Sequence, residues 1–104
     1  MLKIYPVMIE CLKALGPVIR EIERHDLDLA RQLRRASASV ALNLAEGSGS
    51  RGGVRQQRYR TALGSARETG ACLDVGEAMY EVAVEPRVRN QLAHVTNVLV
   101  HIAA

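Results

Sequence analysis

The sequence predicts an all-α fold, an antiparallel up-down-up-down four-helix bundle forming a single domain over residues 1–104. Apolar residues recur at alternating steps of three and four over long segments, the spacing of a helix that buries one face. Aromatic residues make up only 3% of the chain, all of them Tyr, and the 48% hydrophobic content is dominated by Ala, Leu, Val and Ile, which suit closely packed helices better than sheets. Short Gly-, Asp- and Pro-marked breaks separate the periodic segments, as short connections in a bundle require. A chain of 104 residues holds one core and no more. It buries only about 60 to 65% of the surface it exposes when unfolded, so a lone copy is marginal and self-association is expected.

Helix 1 is predicted from about Tyr5 to Arg24, with Ile4, Met8, Cys11, Leu15, Val18 and Ile22 as its seam. Tyr5, Leu12 and Ile19 widen this seam on one side, Val7 and Ala14 on the other. Pro17 cannot donate to the carbonyl four residues back, so a kink is expected there. Asp26 or Asp28 caps helix 2, whose predicted core positions are Leu29, Leu33, Ala36, Val40 and Leu44, with Gly47 as its stop. The stretch from Gly47 to Gly53 has no periodicity and four glycines, and reads as a flexible connection.

Helix 3 is predicted from about Val54 to Val82, with Tyr59, Leu63, Ala66, Gly70, Leu73 and Tyr80 near one face. Gly64, Gly70 and Gly76 each cost about 1 kcal/mol relative to Ala inside a helix, so either close packing at Ala62, Ala66 and Gly70 offsets them or the helix breaks near Gly70. Pro86 suits the first turn of helix 4, which runs to the C-terminus on a seam of Val88, Leu92, Val95, Leu99 and Ile102. Ala93, Val98, Val100, Ala103 and Ala104 make most of its remaining circumference apolar. That excess, with the wide seam of helix 1, also predicts self-association.

Several function classes find no support. The N-terminal apolar stretch is interrupted by Glu10 and Lys13, and no run reaches the roughly 18 apolar residues of a membrane span, so a cytoplasmic protein without membrane contact is expected. Cys11 and Cys72 lack CxxC spacing and read as reduced core thiols. Glu21 and Glu23 have no His three residues later, as a di-iron bundle would need, and His94 and His101 stand about 10 Å apart along a helix, too far to share one ion. Ser48 and Ser50 lie in a glycine-rich stretch that lacks the Lys of a phosphate loop. No acid, base, nucleophile or metal constellation is visible, so neither an enzyme nor a cofactor is expected.

The charge distribution is more informative than the net charge of +3. Between residues 31 and 67 lie Arg31, Arg34, Arg35, Arg51, Arg55, Arg58, Arg60 and Arg67 against the single acid Glu46, leaving the flanks net acidic. In a hairpin folded near Ser50, Arg31, Arg34 and Arg35 stand level with Arg67 while Arg51, Arg55 and Arg58 gather at the turn. These eight form the candidate nucleic-acid site, a basic stripe along helices 2 and 3 suited to bidentate contacts with phosphates. The same arginines also fit a plain solvated surface. On helix 4, Asn90, His94, Asn97 and His101 form one polar, mostly uncharged line, read either as solvent face or as a wet subunit contact that loosens below about pH 6 as its histidines charge.

The run Gln32-Leu33-Arg34-Arg35-Ala36-Ser37-Ala38-Ser39-Val40-Ala41-Leu42-Asn43-Leu44-Ala45-Glu46-Gly47, with Ala62-Leu63-Gly64-Ser65-Ala66-Arg67-Glu68 after it, resembles the signature of the bacterial four-helix bundle proteins encoded in intervening sequences of large-subunit ribosomal RNA genes. The resemblance covers nearly the whole chain. It implies a left-handed bundle that assembles into a homo-oligomer, commonly a pentamer, associates with nucleic acid and has no known catalytic activity. Similar pentameric bundles serve as accessory proteins to the reverse transcriptases of diversity-generating retroelements, so a nucleoprotein is a second class of partner. This sequence departs from the pattern in having Ala41 where Pro is frequent, a Gly-rich linker where basic residues are common, and a short C-terminus. Within the motif, Asn43 and Glu46 are read as helix-end or interhelix hydrogen-bonding groups. The function expected is RNA or nucleoprotein binding by a homo-oligomer through the arginines, and the alternative is a structural or protein-interaction module without direct nucleic-acid contact.

Overall fold

The computed structural model describes residues 2–104. Four helices follow one another: α1 (Ile4–Glu23), α2 (Leu27–Ser48), α3 (Gly52–Tyr80) and α4 (Pro86–Ile102). Each packs on its neighbours in sequence and α1 also packs on α4, which closes the square of an up-down bundle and leaves α2 diagonal to α4. At 1.5 Å per residue, the 29 residues of α3 span the full 42 Å length of the molecule.

The predicted seams of α1, α2 and α4 form the core except that Ile102 is only partly buried, as are Leu63, Gly70 and Tyr80 of the face predicted for α3. Ile4, Met8, Cys11, Leu15, Val18 and Ile22 of α1 are buried, as are Leu29, Leu33, Ala36, Val40 and Leu44 of α2 and Val88, Leu92, Val95 and Leu99 of α4. α1 runs unbroken through Pro17, and α3 runs unbroken through Gly70. Both cysteines are free and buried. Burial pushes the Cys11 thiol up to about 11, so it stays protonated and unreactive at neutral pH, with Sγ donating weakly to the Val88 carbonyl oxygen 4.0 Å away.

α3 is the least patterned helix because most of what it buries is small. Ala62, Ala66, Thr69, Cys72 and Gly76 join Tyr59 and Leu73 in its buried face. The small side chains let α2 approach closely: the Ser39 and Ser65 hydroxyls bond across the interface at 2.8 Å, and Ser37 and Thr69, both buried, turn their hydroxyls back onto Leu33 and Ser65 carbonyls of their own helices. Gly76 admits Ile22, whose Cδ1 would lie 3.1 Å from a methyl placed there.

The expected flexible linker from Gly47 to Gly53 is a correction. α2 continues through Gly47 to Ser48, α3 already begins at Gly52, and only residues 49–51 connect them. Gly47 is buried against the ring of Tyr59: a methyl there would stand 2.7 Å from Cδ1 and closer still to Cε1. This glycine, one residue before the end of α2, is therefore also a contact residue. The turn itself uses Gly52, at φ +54, where a residue with a Cβ is disfavoured.

At the opposite end Asp26 caps α2, accepting from the Leu29 amide at 2.9 Å, and its second oxygen accepts from the Tyr80 hydroxyl at 2.6 Å. His25 stacks on the Tyr80 ring with centroids 5.3 Å apart. One residue later Glu81 ends α3 in the left-handed region at φ 56, its amide bonded to the Glu77 carbonyl. Tyr80 thus pins the end of α3 to the α1–α2 turn.

These contacts have measurable consequences. Gly47→Ala lowers stability by about 1 to 3 kcal/mol, the cost of overpacking, and pairing it with Tyr59→Leu recovers part of that loss in a denaturation double-mutant cycle. Glu81→Gly relieves the left-handed backbone and raises stability by about 0.5 to 1 kcal/mol in the same measurement. Acid acts on the Asp26 cap. The Tyr80 hydrogen bond, then the Leu29 amide, hold the Asp26 carboxyl below its ordinary value, so their contribution is present above the unfolded value near 3.9 and is lost as pH falls through the lower folded one. Tyr80→Phe should therefore be less stable than wild type at pH 7, with the gap closing in strong acid; an equal gap at every pH would contradict this.

Candidate nucleic-acid interface

All eight candidate arginines are exposed, but the helices do not present them as one stripe. Arg31, Arg34 and Arg35 are three and four residues apart and share a side of α2, where with Asp28 and Gln32 they line a depression of 410 Å³. Arg34 leans toward α1 and pairs with Glu23 at 3.0 Å. Arg31 and Arg35 project from the outer face opposite Leu33 and have no ion-pair partner among the described residues.

At the turn, Arg51, Arg55 and Arg58 follow steps of four and three, but two of them are occupied. Arg55 Nε donates to the carbonyl oxygens of Gly47 and Ser50, at 3.2 and 2.9 Å, which satisfies groups left open at the end of α2. Arg58 pairs with Glu46 at 3.1 Å. Arg51 has no ionic partner among the described residues. Arg60 and Arg67 lie elsewhere: Arg60 is about 140° around α3 from Arg55, and Arg67, seven residues on, returns to nearly the same direction. Antiparallel pairing at Ser39 and Ser65 does set Arg67 level with the α2 arginines, yet its side chain lines a 490 Å³ groove between α3 and α4.

The arrangement is two basic patches at the ends of α2, separated by the uncharged run from Ala36 to Ala45, plus a third pair on the far side of α3. Asn43 donates to the Ser39 carbonyl and hydroxyl oxygens, and Glu46 crosses to Arg58, so both polar motif residues bond within or between helices. Sequence reasoning missed Arg89. Half-buried, it pairs with Asp74 and Glu77 of α3, each at 2.9 Å. Desolvation works against its charge, but the hydrogen bonds of Glu77 and Asp74 outweigh it and hold the guanidinium more firmly protonated. Its partners lie 12 and 15 positions back across a turn, so no intrahelical spacing signals them.

The polar line of α4 is where the periodicity puts it, with Asn90, His94, Asn97 and His101 all exposed. No group of three or more His, Cys, Asp or Glu residues that could hold a metal ion occurs among the described residues. Among those residues no helix is long and apolar enough to cross a membrane.

No curated protein and no solved structure matches the chain. A family model described as 23S rRNA-intervening sequence protein matches residues 2–100. The match takes in all four helices up to Val100, including the α2 run that carries Arg34, Arg35, Asn43, Glu46 and Gly47, and with it the chain belongs to the 23S rRNA-intervening sequence protein family.

Proposed function

We propose that this protein is a non-catalytic homo-oligomer, a pentamer by resemblance, that binds RNA, alone or within a nucleoprotein, through arginines of α2 and α3. The observation that carries the reading is the state of those arginines. Arg31, Arg35 and Arg51 are exposed, lack ionic partners among the described residues, and stand in the two patches at either end of α2. Free guanidinium groups give up no existing pair when they meet a phosphate, and each displaced counterion adds to affinity at low salt. Arg34, Arg55 and Arg58 support the fold first, through Glu23, the end of α2 and Glu46.

The uncharged stretch between the patches favours a folded RNA that offers phosphates at two separated places over a single strand lying along the helix. The absence of an exposed aromatic row on α2 agrees, since single-strand binding leans on base stacking. Among the described residues six large hydrophobic side chains remain exposed, Leu42 at 62% and Met79 at 63% among them, mainly on α2 and α3. The partly buried Tyr5, Val7, Ile9, Leu12 and Ala14 show that neighbouring helices absorb most of the wide seam of α1. The apolar surplus that supports self-association thus sits chiefly on α2 and α3, with Val100 on α4.

The test is binding to a structured RNA hairpin over a salt series. Arg31→Glu with Arg35→Glu should weaken binding by about tenfold or more and flatten the salt dependence, by about one unit of slope for each phosphate no longer engaged. Arg34→Ala and Arg58→Ala should change it far less. Binding absent at low salt, or indifferent to Arg31 and Arg35, would favour the protein-interaction module instead.

A further inference from the structure

We propose that a second copy of this chain docks head to tail on the first, the Leu42 ridge of α2 in one copy entering the groove between α3 and α4 of the next. The proposal rests on the self-association inferred above and assigns its surfaces. Leu42 is 62% exposed and stands on the outer face of α2, with Ala38 one turn before it and Ala45 one turn after. A single exposed leucine is ordinary on a protein surface. What sets this one apart is that its flanking residues are small, that residues 36–45 carry no charge, and that a cavity of suitable character lies on another side of the same molecule.

That cavity is the 490 Å³ groove, whose floor is kept low by Ala66, Gly70 and Ala93 and whose rim carries Arg67, Asn90 and Asn97. Gly70 is packed only lightly, with Leu92 Cδ2 at 3.8 Å from where its Cβ would be, so the groove has room for a branched side chain above it. From Asn90 to Ala104 no residue is formally charged, and the Asn side chains can trade water for interfacial hydrogen bonds without stranding a charge.

Geometry and charge choose the mode of contact. α2 lies diagonally across the bundle from α4, so ridge and groove face away from each other and cannot meet within one chain. A contact between two different surfaces is heterologous and propagates from copy to copy, closing to a ring when the rotation allows. Groove against groove would set Arg67 opposite its own copy, with no acid in the groove lining to face it. The ridge from Ala36 to Ala45 brings no charge to the rim beside Arg67, and Glu46 at its end, paired with Arg58 in its own copy, is exposed enough for its carboxylate to accept from Arg67 as well.

The experiment compares full-length Leu42→Cys, Ala93→Cys and the double variant by sedimentation and by a short thiol–thiol cross-linker. Wild type is the control, with its two cysteines buried. The double variant should form a ladder of cross-linked chains while neither single variant links at all. Leu42→Glu should sediment as a monomer with its helical circular dichroism unchanged. A wild type that is monomeric at tens of micromolar would overturn the self-association reading and this docking together. An oligomeric wild type whose double variant gives no ladder, whose single variants link to themselves, or whose assembly survives Leu42→Glu would overturn the docking alone.

Discussion

The close approach of α2 to α3 is the constraint on which the rest of the molecule depends. Ala36 and Gly47 on one helix and Ala62, Ala66 and Thr69 on the other replace the bulky core residues usual in bundles, and Tyr59 fills the space over Gly47. Small residues contribute little apolar area, so their value lies in contact distance: they bring backbones together, let the Ser39 and Ser65 hydroxyls meet, and fix the register of the hairpin. The register in turn decides where the arginines stand. A displaced hairpin would separate Glu46 from Arg58 and the end of α2 from Arg55, leaving the turn without its caps.

At the other end, the register sets the last turn of α3 beside the first of α2, which is how Tyr80 reaches Asp26. α4 then needs its own anchor after the irregular residues 81–85, and Arg89 supplies it by reaching back to Asp74 and Glu77. The two polar ties and the apolar seams are complementary. Hydrophobic burial supplies most of the driving force but slides easily along a helix, whereas hydrogen-bonded pairs hold only at one register.

Much of this was legible in the sequence where one residue type has one physical use. The seams of α1, α2 and α4 follow from helical periodicity, an Asp cap, at Asp26 or Asp28, from the preference of carboxylates for helix starts, and Pro86 from its missing amide donor. Glycine has several uses, and there the reading is incomplete: α2 does end one residue after Gly47, but the contact Gly47 makes is visible only through its neighbour in space, Tyr59. The arginines were legible as a set and not as a surface: Arg67 turns toward α4, Arg60 leaves the face of Arg55, and Arg34, Arg55 and Arg58 have partners that sequence distance conceals. The groove between α3 and α4 left no signal, being a gap between small residues.

The central claim is that the unpaired arginines at the two ends of α2 meet RNA phosphates. The most direct measurement is arginine-selective dicarbonyl modification of the assembled protein, read by mass spectrometry with and without a structured RNA hairpin. Arg31, Arg35 and Arg51 should react readily alone and be protected by RNA, while Arg89, held between Asp74 and Glu77, reacts slowly in both states. Modification of Arg31, Arg35 and Arg51 that is the same with bound RNA as without it would contradict the account.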